Sequence, residues 1–159
     1  MRNKKIYLVG TGVIVLAVLI VLLCVILPMT VHKNKMGSLL EAMASSKRIS
    51  VGDPLFETGD ILGNKGKEIL LEGESLSEIT AMLKELLRQG YRTNSTQKMS
   101  GGTLNMSVKA RTDTNEVIIL YFEETRFYYM DKETAVLFEA KDEAAYQVLF
   151  QKLKFCLTA

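Results

Sequence analysis

The chain has 159 residues, with 20 Lys plus Arg against 18 Asp plus Glu, one His and two Cys. The lone histidine, His32, leaves no histidine-based triad and no cluster of histidine zinc ligands, and cysteines as distant as Cys24 and Cys156 leave no disulfide-stapled scaffold. From Arg48 onward 14 Lys plus Arg face 17 Asp plus Glu, so the folded part is mildly acidic and its sequence shows no basic stripe of the kind that nucleic acid requires.

Residues 1–5 form a short basic tail carrying Arg2, Lys4 and Lys5. Ile6 to Leu27 is an uncharged apolar run of about 22 residues in which Thr11 is the only clearly polar side chain. At 1.5 Å rise per residue such a helix covers roughly 33 Å, enough for a hydrocarbon core of about 30 Å. A helix apolar on every face has no place on the surface of a soluble domain. Residues 6–29 are therefore expected to form a transmembrane helix in contact with lipid. Pro28 would end it, and residues 30–47 would form a juxtamembrane connector in which Met36, Leu39, Leu40 and Met43 return to helical spacing. The run exceeds the roughly 7–15 residues of a cleavable signal, and Leu27-Pro28-Met29-Thr30 offers no small-x-small site, so retention as an anchor is expected. Leu23 before Cys24 also argues against lipoprotein processing. Arg2, Lys4, Lys5, Lys33 and Lys35 read as topology signals and headgroup contacts. The denser charge of the tail favours a cytoplasmic N-terminus and places the domain of residues 48–159 outside the cytoplasm. A non-cytoplasmic domain without disulfides suits a bacterial cell membrane.

Within the domain, Val51 to Lys67 is rich in turn-forming Gly, Asp and Pro, and Glu68 to Leu71 reads as a short strand. Ser75-Leu76-Ser77-Glu78 has the form of a capping box. Leu76, Ile79, Leu83, Leu86 and Leu87 then follow on one helix face, and Gly90 supplies the stop. Tyr91 to Gly102 is an extended segment or loop. Thr103 to Arg111 alternates apolar and polar residues, Glu116 to Glu123 is apolar on both faces, and Arg126–Asp131 and Thr134–Ala140 complete a meander. Asp142 can cap a last helix presenting Tyr146, Leu149, Phe150 and Leu153. The order implies an α+β fold, a twisted antiparallel sheet packed on one face by two helices.

The turns set the pairing. A three-residue loop at Asp113-Thr114-Asn115 opposes Ala110 to Ile118 and Val108 to Leu120. Tight turns at Glu124-Thr125 and Lys132-Glu133 oppose Phe122 to Phe127, Tyr121 to Tyr128, Tyr129 to Val136 and Phe127 to Phe138. The core face then holds Met106, Val108, Ile118, Leu120, Phe122, Phe127, Tyr129, Val136 and Phe138. The opposite face holds Val117, Ile119, Tyr121, Tyr128, Met130 and Leu137, ringed by Lys109, Arg111, Glu123 and Arg126. A solvated sheet face is normally polar, and this one is not. Either the Val51–Leu62 segment covers it with Leu55, Phe56, Ile61 and Leu62, or it is a surface for a protein or peptide partner.

Chemistry-bearing motifs are scarce. Gly63-Asn64-Lys65-Gly66-Lys67-Glu68 lacks the first glycine and the Ser/Thr of a P-loop, and the acidic groups near Asp113 lack the spacing of a calcium loop. Neither cofactor nor metal is expected, and Cys156 reads as a small core residue. An enzyme of unrecognised type ranks below a non-catalytic module that binds a protein, peptide or envelope ligand as sensor or assembly part. A structural subunit is a further alternative. The apolar N-terminal helix followed by a meander is similar in outline to a type IV pilin, but Gly10-Thr11-Gly12-Val13-Ile14-Val15 carries no acid where that family has glutamate.

Overall fold

A computed structural model describes residues 13–52, 67–98, 106–132 and 134–158. The chain divides into two compact units, one ending at Asn34 and one beginning at Lys35. From Val13 on, the apolar run lies in helix α1 (Val13–Ser45), which is long and apolar enough to cross a membrane and whose most apolar stretch is nowhere buried by protein; residues 6–12 of the expected span lie outside the described residues.

Pro28 does not end this helix, contrary to expectation. The chain makes a π-turn over Leu22–Ile26 and continues as regular α-helix through Leu27–Ser45. Proline lacks an N–H, and its ring presses on the carbonyl four residues earlier, here that of Cys24. The wider turn, closed by the Leu27 N–H on the Leu22 carbonyl, opens the backbone just where that ring would clash.

The second unit is α+β. Its seven strands are β1 (Arg48–Gly52), β2 (Glu68–Leu70), β3 (Tyr91–Lys98), β4 (Met106–Arg111), β5 (Val117–Phe122), β6 (Phe127–Asp131) and β7 (Thr134–Ala140). They form one open sheet in the order β2-β1-β4-β5-β6-β7-β3, antiparallel throughout. Helices α2 (Gly73–Gln89) and α3 (Glu143–Thr158) complete it. The expected meander is β4 to β7, with every register as expected: Ala110 opposite Ile118, Val108 opposite Leu120, Phe122 opposite Phe127, Tyr121 opposite Tyr128, Tyr129 opposite Val136 and Phe127 opposite Phe138. Asn115 takes φ 66°, the left-handed conformation that its loop requires, and the Glu123 N–H closes the next turn on the Arg126 carbonyl at 2.8 Å.

The core lies on the expected face. Val108, Leu120, Phe122, Phe127, Val136 and Phe138 are buried there with Ile79, Leu83 and Leu86 of α2 and Tyr146, Leu149, Leu153 and Cys156 of α3. Met36, Leu40, Met43 and Ala44, from the end of α1, join the same cluster, so the residues assigned to a connector in fact contribute core side chains. Gly37 allows this approach, since a Cβ there would meet the Tyr91 hydroxyl at 3.1 Å. Tyr91 in turn stands edge-on to Phe127 and Phe138, with ring centroids 5.8 and 5.5 Å away.

Three further differences from the sequence reading have local causes. β1 was not expected; Ile49 and Val51 enter the core by pairing with Ala110 and Val108 of β4. The Tyr91 segment is a full edge strand, bulged between Thr93 and Ser95. The capping box is not used as one: α2 starts at Gly73, and its N-cap, Glu72, makes no side-chain cap bond. The Leu71 N–H still bonds the Ile49 carbonyl at 2.8 Å, so the helix cannot begin before that, and Gly73, with φ +54°, makes the sharp entry directly after it. Glu78 is instead ion-paired to Lys152 of α3. Gly90 does stop α2, its N–H bonding the Leu86 carbonyl at 3.0 Å, and Asp142 accepts the Ala145 N–H at 3.0 Å to cap α3.

Candidate functional site

The sheet face turned away from the main core carries the six singled-out residues on the side that strand alternation assigns them, and they differ sharply in exposure. Val117, next to Arg111 of β4, is 54% exposed. Ile119, Tyr121 and Met130 are half-buried. Tyr128 and Leu137 are closed off at 2% each. With Ala135, which the sequence reading did not single out, these last two form a second small apolar cluster, flanked by Tyr121 and Met130. Tyr121 and Tyr128 stack with centroids 5.0 Å apart and planes 13° from parallel. Leu55, Phe56, Ile61 and Leu62, named above as a possible cover, lie outside the described residues. Ser107 of β4, opposite Tyr121 and also missed, is fully buried, and its hydroxyl has no hydrogen-bond partner among the described residues.

The rim is partly locked. Glu123 and Arg126 are ion-paired across the β5–β6 turn, and that bond holds the Arg126 guanidinium above its usual pKa. The same turn is held from the helix side. The Tyr146 hydroxyl lies 2.8 Å from the Glu123 carbonyl and 2.6 Å from that of Arg126, sharing its proton between them. Burial drives the Tyr146 phenol far above its ordinary pKa, so the clamp stays protonated. At the β3–β7 edge the Asn94 amide donates to Glu139 at 2.6 Å.

Arg2, Lys4 and Lys5, the proposed topology signals, lie outside the described residues, and Lys33 is exposed on α1. Lys35 sits within the domain unit, with Nζ 4.7 Å from the centre of the Tyr129 ring and 3.9 Å from an Asp131 carboxylate oxygen. Burial, then the neighbouring Asp131, pushes the Tyr129 phenol up to about 12. Cys156 is buried and Cys24 exposed, both as free thiols, and burial raises the Cys156 thiol. Among the described residues no group of three or more His, Cys, Asp or Glu side chains is placed to hold a metal ion.

A second apolar area lies between α2 and α3. A cleft of about 270 Å³ is lined by Met82, Leu86, Tyr146 and Leu149, with Val148 and Phe155 exposed near it. No protein-family model, curated protein or solved structure matches the chain.

Proposed function

We propose that this is a single-pass membrane protein whose small α+β domain binds a protein or peptide partner outside the cytoplasm without catalysing a reaction, as a sensor or an assembly part. The supporting observation is the graded outer sheet face. Val117 stays accessible and Ile119 partly so beside Arg111 and Lys109, while Tyr128 and Leu137 are closed off further across the same face. Apolar area of this kind bordered by charge favours a partner. The apolar, unburied stretch of α1 supports the anchor. The basic tail supports a cytoplasmic N-terminus, and the lack of disulfides fits a bacterial cell membrane.

The test is a photo-crosslinking residue at Ile119 in the full chain in intact membranes, with a matched one at Val148 of α3 as control. A discrete adduct at position 119, absent at 148 and lost in Val117→Glu, is the expected result. Identical adducts at both positions would sink the reading. Resistance of the domain to protease added outside sealed cells would reverse the orientation. The alternative of a structural subunit rests on Met36, Leu40 and Met43, by which the end of α1 contributes to the domain core; it requires ordered self-assembly that depends on the apolar stretch of that helix.

A further inference from the structure

We propose that Arg48 and Arg111, with Lys47 beside them, bind a phosphate-type oxyanion at the β1–β4 end of the outer sheet face. Arg48 and Arg111 are directly opposed in the antiparallel register, so their side chains leave the sheet on the same side. Directly opposed residues have Cβ atoms about 5 Å apart, and like charges at that spacing are destabilising. Both side chains are exposed, and neither makes an ion pair among the described residues. Yet the pair is held firmly. The Ser46 hydroxyl, itself nearly buried, lies 3.0 Å from the Arg48 carbonyl and 2.7 Å from the Arg111 carbonyl, and accepts the Arg48 N–H at 3.2 Å. One buried serine therefore fixes the backbone of both arginines.

The pair borders a groove of about 700 Å³, lined also by Lys47, Lys109, Glu68 and Glu72, and a smaller one reaching Asp113. Of these carboxylates, Glu68 accepts a hydrogen bond from Ser50. In a domain with more acidic than basic residues, a repelling arginine pair with no ion-pair partner among the described residues is a local concentration of positive potential. Two guanidinium forks on neighbouring strands can each give paired N–H groups to one tetrahedral oxyanion, which would turn their repulsion into shared attraction; Lys47 adds a point charge. The anion could be a free phosphate or the headgroup of an anionic phospholipid. Val117 lines the same groove, so the site adjoins the proposed partner surface, but the arginines rather than the apolar side chains would hold the anion.

The experiment uses the full chain in nanodiscs and follows domain unfolding by tyrosine fluorescence. In zwitterionic phosphatidylcholine discs, inorganic phosphate should raise the midpoint by a few degrees, while sodium chloride of equal ionic strength should not. Without phosphate, Arg111→Gln should be as stable as wild type or more so, and Arg48→Gln/Arg111→Gln should lose the phosphate response. Arg48→Lys/Arg111→Lys keeps the charge but loses the forks, and should weaken phosphate binding about tenfold. If discs containing phosphatidylglycerol raise the midpoint of wild type alone and abolish the response to added phosphate, the source is the headgroup; if phosphate still acts in them, it is the soluble anion. An equal response to chloride, or an undiminished one in either double variant, overturns the site. Because the glutamine variants are read against crosslinking at Ile119, loss of this site and loss of partner binding are separable.

Discussion

On the core face of the sheet Leu120, Phe122, Phe127 and Phe138 are buried beneath α2, α3 and the end of α1, whereas on the outer face exposure climbs from Leu137 and Tyr128 to the open Val117. The two faces draw on the same strands and on side chains of similar hydrophobicity. What separates them is the covering layer, and covering, more than residue type, decides what a side chain contributes to stability. The core face carries most of the stability of the domain, and on the outer face only the closed-off Tyr128 and Leu137 contribute in the same way.

The largest effect that could break this contrast is at Phe127, whose ring lies within 6.0 Å of those of Phe122, Phe138, Tyr91 and Tyr146. Phe127→Ala should cost about 3–5 kcal/mol in urea unfolding, enough to unfold much of the population. A cost below about 1 kcal/mol would mean that the core is placed on the wrong face. Tyr146→Phe keeps the ring and removes only the clamp on the β5–β6 turn. It should cost about 1–2 kcal/mol and speed amide exchange at Glu123 to Arg126. A neutral result would show that the turn holds without the helix.

Alkaline pH tests the same packing without mutation. The Tyr129 phenol titrates near 10 when unfolded and is pushed up to about 12 in the fold. Between those values the unfolded chain has released a proton that the folded chain keeps. The contribution of Tyr129 is therefore level below pH 10 and falls as pH rises toward 12, one share of an alkaline loss to which Tyr91, Tyr146 and Cys156, also raised by burial, add. Tyr129→Phe should flatten that fall in urea midpoints measured across the interval. A profile identical to wild type would place the alkaline sensitivity elsewhere.

How far the sequence anticipates this arrangement depends on distance along the chain. Short loops with a left-handed Asn115, together with the alternation of β4, determine β4 to β7 and their registers, because the turns fix which residues face each other and keep Val108, Leu120, Phe127 and Val136 on one side. β1 is too short for its alternation to stand out, and its partner β4 lies far along the chain, so nothing local marks it. The capping signature at Ser75 goes unused because Gly73, two residues after the ladder ends at Leu71, already turns the chain into the helix. For the candidate site, alternation assigned all six residues to one face but could not rank them, since exposure depends on what lies above each one. The same limit hid the Arg48–Arg111 pair: it exists only once β1 docks on β4.

The smallest expected effect is the most discriminating for the outer face. Ile119 is half-buried, and Val117, at 54% exposed, has lost only part of its surface to the fold. Val117→Ser should change stability by less than about 0.5 kcal/mol, and Ile119→Ser by only somewhat more. Tyr128→Ser, though on the same face, should cost several times as much, because it removes a ring that is 2% exposed and stacked on Tyr121. If Val117 proves as costly as Tyr128, the outer face is a second core and leaves no room for a partner. If Val117→Ser and Ile119→Ser leave the urea midpoint in place while abolishing the crosslink at this face, its apolar side chains are held for binding.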